Sequence, residues 1–347
     1  MSSSKLRVLL TNDDGPPGPD SPYIYGLYKH LTQDLGWDVK VVIPSSQKSW
    51  IGKAYQIKDI IHGRYYYPRD PDGMGDFSET SRPVKEGEMA EWILLDGTPA
   101  TCANIALHNI YRGEIDLVLS GPNLGRNTSS AFALSSGTIG AALSSSLSKT
   151  RAIALSYGTV HHPTPPPFFH PAHALSARII QHLWSNWGAD EGGIRKDEID
   201  LYNVNIPMIE GLLSEEGLPI TWTRIWRNSY GRLFKAHSGE QADALKRTMS
   251  DAGPDGMSPG PSPSIAKTEK TEIKPEEAGD LVFKFAPEMG NLINPSASDV
   301  TEGSDGWAIR KGLVSVTPMR ASFAEPPAEE IFGLSGGVDS LLWKFKL

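Results

Sequence analysis

Leu9-Leu10-Thr11-Asn12-Asp13-Asp14-Gly15-Pro16-Pro17-Gly18-Pro19-Asp20 passes from an apolar run into two adjacent carboxylates, then into a break of glycines and prolines. Arg7 to Thr11 reads as a short buried strand, and beyond the break Ile24, Leu27, Tyr28, Leu31 and Leu35 recur at helical spacing. Strand, polar loop and helix follow in that order. Neighbouring residues on a regular strand point to opposite faces, so Asp13 and Asp14 can share a ligand only if the chain turns at them. Gly15 supplies that turn, although Asn, Asp and Gly form turns without any ligand.

The same alternation continues outward. Trp37 to Pro44 carries the β-branched run Val39, Val41, Val42, Ile43 and leaves through Pro44-Ser45-Ser46-Gln47-Lys48-Ser49. Arg64 to Pro68 and Glu91 to Leu95 are strand-like. Thr98 and Pro99 then form an N-cap and first-turn proline for a helix with Cys102, Ile105, Ala106 and Ile110 on one face. Ile115 to Ser120 reads as a buried strand that exits through Gly121-Pro122-Asn123-Leu124-Gly125-Arg126-Asn127. Ser136-Gly137-Thr138 opens the next helix, with Ile139, Ala142, Leu143 and Leu147, and Ala152 to Ser156 is a further strand. After a segment rich in His and Pro come a helix through Leu175, Ile179 and Leu183 and a strand from Leu201 to Pro207. Strands alternating with helices predict an α/β fold: a doubly wound, mostly parallel, Rossmann-like sheet with helices on both faces.

A chain of 347 residues with 39% hydrophobic content can bury a large core. We expect one domain over residues 1–320, interrupted at about 237–280 by a low-complexity insertion dominated by Gly, Pro, Ser, Glu and Lys, and a tail over 321–347. Ordered patterning returns at Ala308, Ile309, Leu313, Val314, Val316 and Thr317. The net charge of −8 argues against a broad basic face for a nucleic acid polymer. A single cysteine, Cys102, excludes an intrachain disulfide and a Cys-rich zinc centre and fits a reducing compartment. Met1-Ser2-Ser3-Ser4-Lys5 leads into a strand rather than a signal peptide, and no apolar run reaches the roughly 18 residues of a membrane helix. The expectation is a soluble, cytoplasmic protein, in which the sequon Asn127-Thr128-Ser129 meets no glycosylating enzyme.

In open parallel sheets, ligands collect outside the carboxyl ends of the strands. Asp13-Asp14, Ser49 and the Asn123 to Asn127 loop all fall there. Carboxylate, hydroxyl and amide oxygens are hard donors that suit Mg²⁺ or Mn²⁺, with Ca²⁺ as a further occupant, and a cation relieves the repulsion between two close acids. Ser136-Gly137-Thr138 offers backbone amides, a hydroxyl and the positive end of a helix dipole to a phosphate, to which Asn127 can also donate. Ordinary capping by Ser136 or Thr138 is the alternative for that helix start. A cation site beside an anion site is a hydrolase pattern.

These stretches resemble, in order, the motifs of the SurE family of metal-dependent phosphatases and nucleotidases: Asn12-Asp13-Asp14-Gly15, Pro44 with Ser49, Gly97-Thr98-Pro99, Ser120 to Asn127, and Ser136-Gly137-Thr138. Tyr202-Asn203-Val204-Asn205-Ile206-Pro207, Ser304-Asp305-Gly306-Trp307-Ala308 and Val314-Ser315-Val316-Thr317-Pro318 resemble later landmarks. Pro122, Pro16 to Pro19, Ser45-Ser46 and the spacing between Asn127 and Ser136 depart from the commonest pattern. The resemblance implies one divalent metal on Asp13, Asp14, Ser49 and Asn123, and a phosphate site of Asn127, Ser136, Gly137 and Thr138. It further implies hydrolysis of a phosphate monoester, such as a nucleotide, by a metal-activated water, with Asp13 or Asp14 as base and Asn127 assisting. A homodimer or larger assembly through C-terminal elements belongs to the same expectation.

Three other signals compete. Leu334-Ser335-Gly336-Gly337-Val338-Asp339-Ser340 resembles the loop of PP-loop ATP pyrophosphatases, but too little chain follows it for a nucleotide-binding domain. His161, His162, His170 and His173 lack acids or cysteines at coherent ligand spacing and read as a surface loop. Asp96 reads as a cap-region acid beside Gly97-Thr98. A nucleotide-binding or scaffold protein without catalysis is the reading from another class, and the full set of candidate ligands speaks against it.

Overall fold

The computed structural model describes residues 5–159, 163–236 and 283–325. A ten-stranded sheet runs through them in the order β4-β3-β5-β2-β1-β6-β7-β8-β12-β9. Its central strands are β1 (Arg7–Thr11), β2 (Asp38–Pro44), β5 (Trp92–Leu95), β6 (Leu117–Leu124), β7 (Arg151–Thr159) and β8 (Leu201–Met208), all parallel to one another. At one edge β3 (Gly63–Pro68) and β4 (Gly75–Ser78) are antiparallel. At the other, β12 (Val314–Met319) pairs antiparallel with β8 and parallel with β9 (Ile220–Trp222). β10 (Phe234–Ala236) and β11 (Phe283–Phe285) form a separate two-stranded antiparallel sheet.

The doubly wound arrangement follows from side-chain alternation on β1. Val8 and Leu10 enter one buried cluster with Ile24, Leu27 and Leu31, whereas Leu9 enters another with Cys102, Ala106, Ile139 and Ala142. Helices α1 (Ile24–Lys29) and α5 (Phe169–Ser185) cover the first face, and α2 (Pro99–Ile105) and α4 (Gly137–Leu147) the second. Small residues bring the second layer very close: a side chain at Gly140 would meet the Gly52 carbonyl at 2.3 Å. Thr98 caps α2 as its sequence predicts, accepting from the Thr101 amide at 3.1 Å.

Two expectations shift. Gly121-Pro122-Asn123-Leu124 does not leave the sheet; it lies within β6, past a register shift between Ser120 and Asn123. Gly121 has φ +125°, and a side chain there would strike the Leu155 carbonyl, so the bulge needs glycine. The stretch between Asn127 and Ser136 is a short helix, α3 (Ser129–Ser135), followed by Ser136 as the cap of α4. From β1 the chain moves to β2 on one side and later to β6 on the other, so the strand order reverses at β1 and β6. That switch point is where a site is expected. No described helix is long and apolar enough to cross a membrane. His161, His162, the insertion at 237–280, the string at 334–340 and the C-terminal tail expected to take part in an oligomer fall wholly or almost wholly outside the described residues.

Candidate active site

The end of β1 is shaped before any ligand is considered. Gly15 takes φ +86°, its amide donates to Asn12 Oδ1 at 3.1 Å, and Asn12 Nδ2 donates to the Gly15 carbonyl at 2.8 Å and Ser21 Oγ at 3.0 Å. This closed turn sets Asp13 and Asp14 against different neighbours. Thr138 Oγ1 donates to Asp13 Oδ1 at 2.5 Å, and the Leu124 amide at the end of β6 donates to Asp14 Oδ2 at 2.8 Å. Both acids are buried, at 3% exposure. Burial pushes the Asp13 carboxyl up to about 6, opposed by the Thr138 hydroxyl and by backbone amides that include those of Thr138 and Gly137. Asp13 therefore sits at the positive end of α4.

Gly137 is the reason it can. A Cβ there would lie 2.8 Å from Asp13 Cβ, 2.9 Å from Asp13 Oδ2 and 3.0 Å from Ile51 Cγ2. The loop after β2 is tied to the same point by the Lys48 amide, which donates to the Asp13 carbonyl at 2.7 Å. This brings Ser49 to the site, and its hydroxyl is buried without a hydrogen-bond partner among the described residues. Asn123 Nδ2 donates to the Gly125 carbonyl at 2.8 Å, which fixes the amide where β6 ends.

Asp13, Ser49, Asn123, Asn127 and Ser136 line one cavity with Trp50, Leu124, Arg126, Phe132 and Ser135. Its volume is about 30 Å³, against the roughly 10–15 Å³ that one water requires. Gly137 and Thr138 approach Asp13 without lining that cavity. Ser136 Oγ caps α4, accepting from the Ile139 amide at 3.1 Å.

A divalent cation fits this donor set. Asp13 supplies a carboxylate that lines the cavity, and Asp14 supplies a second buried one outside that lining; Ser49 adds a buried hydroxyl oxygen with no hydrogen-bond partner among the described residues, and Asn123 an amide group, all of them hard ligands. Among the described residues, no three His, Cys, Asp or Glu side chains gather as a metal-binding group, so Ser49 and Asn123 are integral to this reading. His173 is buried against the Tyr157 hydroxyl at 3.0 Å, and burial pushes it down to about 3. His170 is exposed and contacts His30. Asp96 is exposed and accepts from Ser45 Oγ. None of these three lines the cavity.

Several contacts around Asn127 join residues to which the sequence assigned no role. Asn127 is buried, so its sequon is not presented to an enzyme, and it is gripped on three sides. Its amide donates to Asn205 Oδ1 at 2.7 Å, its carbonyl accepts from Asn203 Nδ2 at 2.8 Å, and its Nδ2 donates to Ser156 Oγ at 2.8 Å. Two asparagines at alternate positions of an apolar strand were the available signal, because i and i+2 share a face. Asp305 is buried too, and desolvation pushes it up to about 6 despite three backbone donors. Trp50 and Phe132 pack edge to face at 5.9 Å along the cavity wall. Arg126 reaches the carbonyls of Leu292 and Ile293.

Comparison with known proteins places this geometry in context. Residues 8–232 match the family model described as survival protein SurE. A yeast protein (Saccharomyces cerevisiae) described as probable tubulin–tyrosine ligase PBY1 is 32% identical over 368 residues, which cover 99% of this chain but 43% of that protein. The chain thus spans under half the length of that relative. A protein described as 5'-nucleotidase SurE from Caulobacter is 30% identical, over 90% of this chain and 88% of its own. The crystal structure of SurE from Aquifex aeolicus shares the fold at TM-score 0.54 and 21% identity, covering 92% of this chain and 94% of that one. The family model covers most of the chain and includes both acids, Ser49 and the Asn123 to Thr138 segment: the chain belongs to the SurE family.

Proposed function

We propose that the protein is a divalent-metal-dependent phosphomonoesterase that hydrolyses nucleoside monophosphates or other small phosphate monoesters. The observation that carries the reading is the cavity in which buried Asp13, the uncommitted Ser49 hydroxyl and Asn123 stand beside Asn127 and Ser136. The name 5'-nucleotidase SurE, borne by bacterial and archaeal relatives, supports the same reaction class. Asp13, Asp14, Ser49 and Asn123 would hold one Mg²⁺ or Mn²⁺, with Ca²⁺ as a possible occupant. When bound, the cation supplies a water of lowered pKa and polarises a phosphoryl oxygen.

The remaining work belongs to side chains and backbone. Asp13 or Asp14 orients the attacking water and accepts its proton. Asn127 and Ser136, with the positive end of α4 at Gly137 and Thr138, offset charge that grows on the phosphoryl oxygens in an in-line displacement. The ester oxygen leaves on the side opposite the water. A soluble, cytoplasmic homodimer or larger assembly, with no nucleic acid polymer or membrane as partner, completes the proposal.

Phosphate release from a panel of nucleoside monophosphates, with Mg²⁺, Mn²⁺ or chelator, is the test. Release should require the metal and fall at least 100-fold in Asp13→Ala with the fold retained. Undiminished release in chelator, or by Asp13→Ala with metal still bound, overturns the assignment.

A further inference from the structure

Asp305 opens α6 (Asp305–Arg310), far along the chain from the acid pair and outside the residues matched by the family model. Its carboxylate is fully buried and accepts three backbone N–H groups: Ser129 at 2.9 Å on Oδ2, and Trp226 at 2.9 Å and Gly306 at 2.7 Å on Oδ1. Ser129 follows Asn127 by two residues and holds φ +79°, a left-handed conformation unfavourable for an L-residue other than glycine. Thr128, the N-cap of α3, makes no side-chain cap. Outside partners take over that helix start instead. Besides Asp305 on Ser129, the Trp226 carbonyl accepts from Ser130 at 2.8 Å and Asn228 Oδ1 accepts from Ala131 at 2.9 Å.

The two halves of the site are therefore anchored differently. Asp13 and Asp14 are tied to α4 and β6, and Ser49 follows a loop tied to β1. Asn127 is clamped behind by Asn203, Asn205 and Ser156, and the chain leaving it is pinned ahead by Asp305. The Thr138 and Leu124 hydrogen bonds that seat the two acids do not involve Asp305.

We propose that Asp305 is a positioning residue for the anion-binding half of the site, holding the Asn127 to Ser129 turn through the Ser129 amide. The inference rests on the phosphatase reading and deepens it. Asn at this position keeps the volume but loses one acceptor, so it can serve Ser129 or the Trp226–Gly306 side and not both. Coupling between sites is reciprocal: if the Asp305 contact favours phosphate, bound phosphate favours the contact.

The test compares wild type with Asp305→Asn, reading inorganic phosphate affinity as competitive inhibition and by calorimetry, and Mn²⁺ affinity by electron paramagnetic resonance. Phosphate binding should weaken at least 10-fold while Mn²⁺ affinity stays within twofold. A second measurement needs no variant: phosphate added to the Mn²⁺-loaded wild type should slow hydrogen exchange at the Ser129 and Trp226 amides, and Mn²⁺ alone should not. Equal losses of phosphate and Mn²⁺ affinity, unchanged phosphate affinity, or no added protection at those amides overturns the positioning role. A wild type that binds Mn²⁺ but no phosphate removes the phosphatase reading and this inference together, an outcome distinct from all three.

Discussion

Gly137 shows how one missing atom defines the site. Its α-carbon faces Asp13 so closely that a methyl group would overlap Asp13 Cβ, Asp13 Oδ2 and Ile51 Cγ2, all within 3.0 Å. Neither Asp13, which is held by Thr138 and the α4 amides, nor Ile51 can retreat without loosening the acid loop. Gly137→Ala should lower stability by about 1–3 kcal/mol, the usual cost of overpacking. A displaced carboxylate should cost about 100-fold in kcat/KM. Thermal melts and Mn²⁺ titration of the same variant check this, and wild-type Mn²⁺ affinity would sink it. The sequence marked Gly137 as part of an anion-ready helix start, and Asp13 as half of an acid pair. That the two touch was not legible, since β1 and α4 lie more than a hundred residues apart and only tertiary packing brings them together.

At the scale of elements, legibility followed the length and regularity of the apolar pattern. β1, β2, β7 and β8 carry buried runs bounded by polar breaks and stand close to where their sequences place them. β6 extends past its apolar run because Gly121 allows a bulge, and α3 hides in a segment of small and polar residues with no capping side chain of its own. The antiparallel edge was only half legible, since β4 is short and exposed. That edge is held by charge instead. Arg82 and Arg69 donate to Glu88, the Lys85 amide adds a third donor at 2.7 Å, and the Glu88 side chain is buried. The Arg82 hydrogen bonds hold its carboxyl down at about 2, below its unfolded value near 4.5. A lowered folded pKa means that Glu88 contributes its stability above about pH 4.5, and the contribution is lost as pH falls towards 2. Glu88→Gln should therefore melt below wild type at pH 6, with the gap closing by pH 2.5. A gap that is constant with pH would mean that packing, rather than charge, holds this edge.

The whole molecule depends on chain that lies beyond residue 232, where the family-model match ends. β12 is an interior strand between β8 and β9, pairing Ser315 with Asn205 and Thr317 with Asn203, the two residues that grip Asn127. Removing it would bare β8 and take Asp305 away as well. A chain ending at Ala236 should accordingly be recovered only as aggregate, because an exposed apolar parallel strand recruits other strands. Deleting only residues 237–282 is a different operation. Ala236 and Phe283 are paired across the antiparallel β10–β11 sheet, so they stand side by side and an Asn-Gly turn can join them. The β10–β11 pair itself must stay, since Phe285 packs edge-on against Trp50 at 5.3 Å and Trp50 lines the cavity. Replacing a long connection by two residues saves roughly 2 kcal/mol of closure entropy. The joined protein should then melt at or slightly above the wild-type temperature and bind Mn²⁺ with unchanged affinity. If it melts well below wild type, or loses Mn²⁺, the removed segment contributes to the folded body.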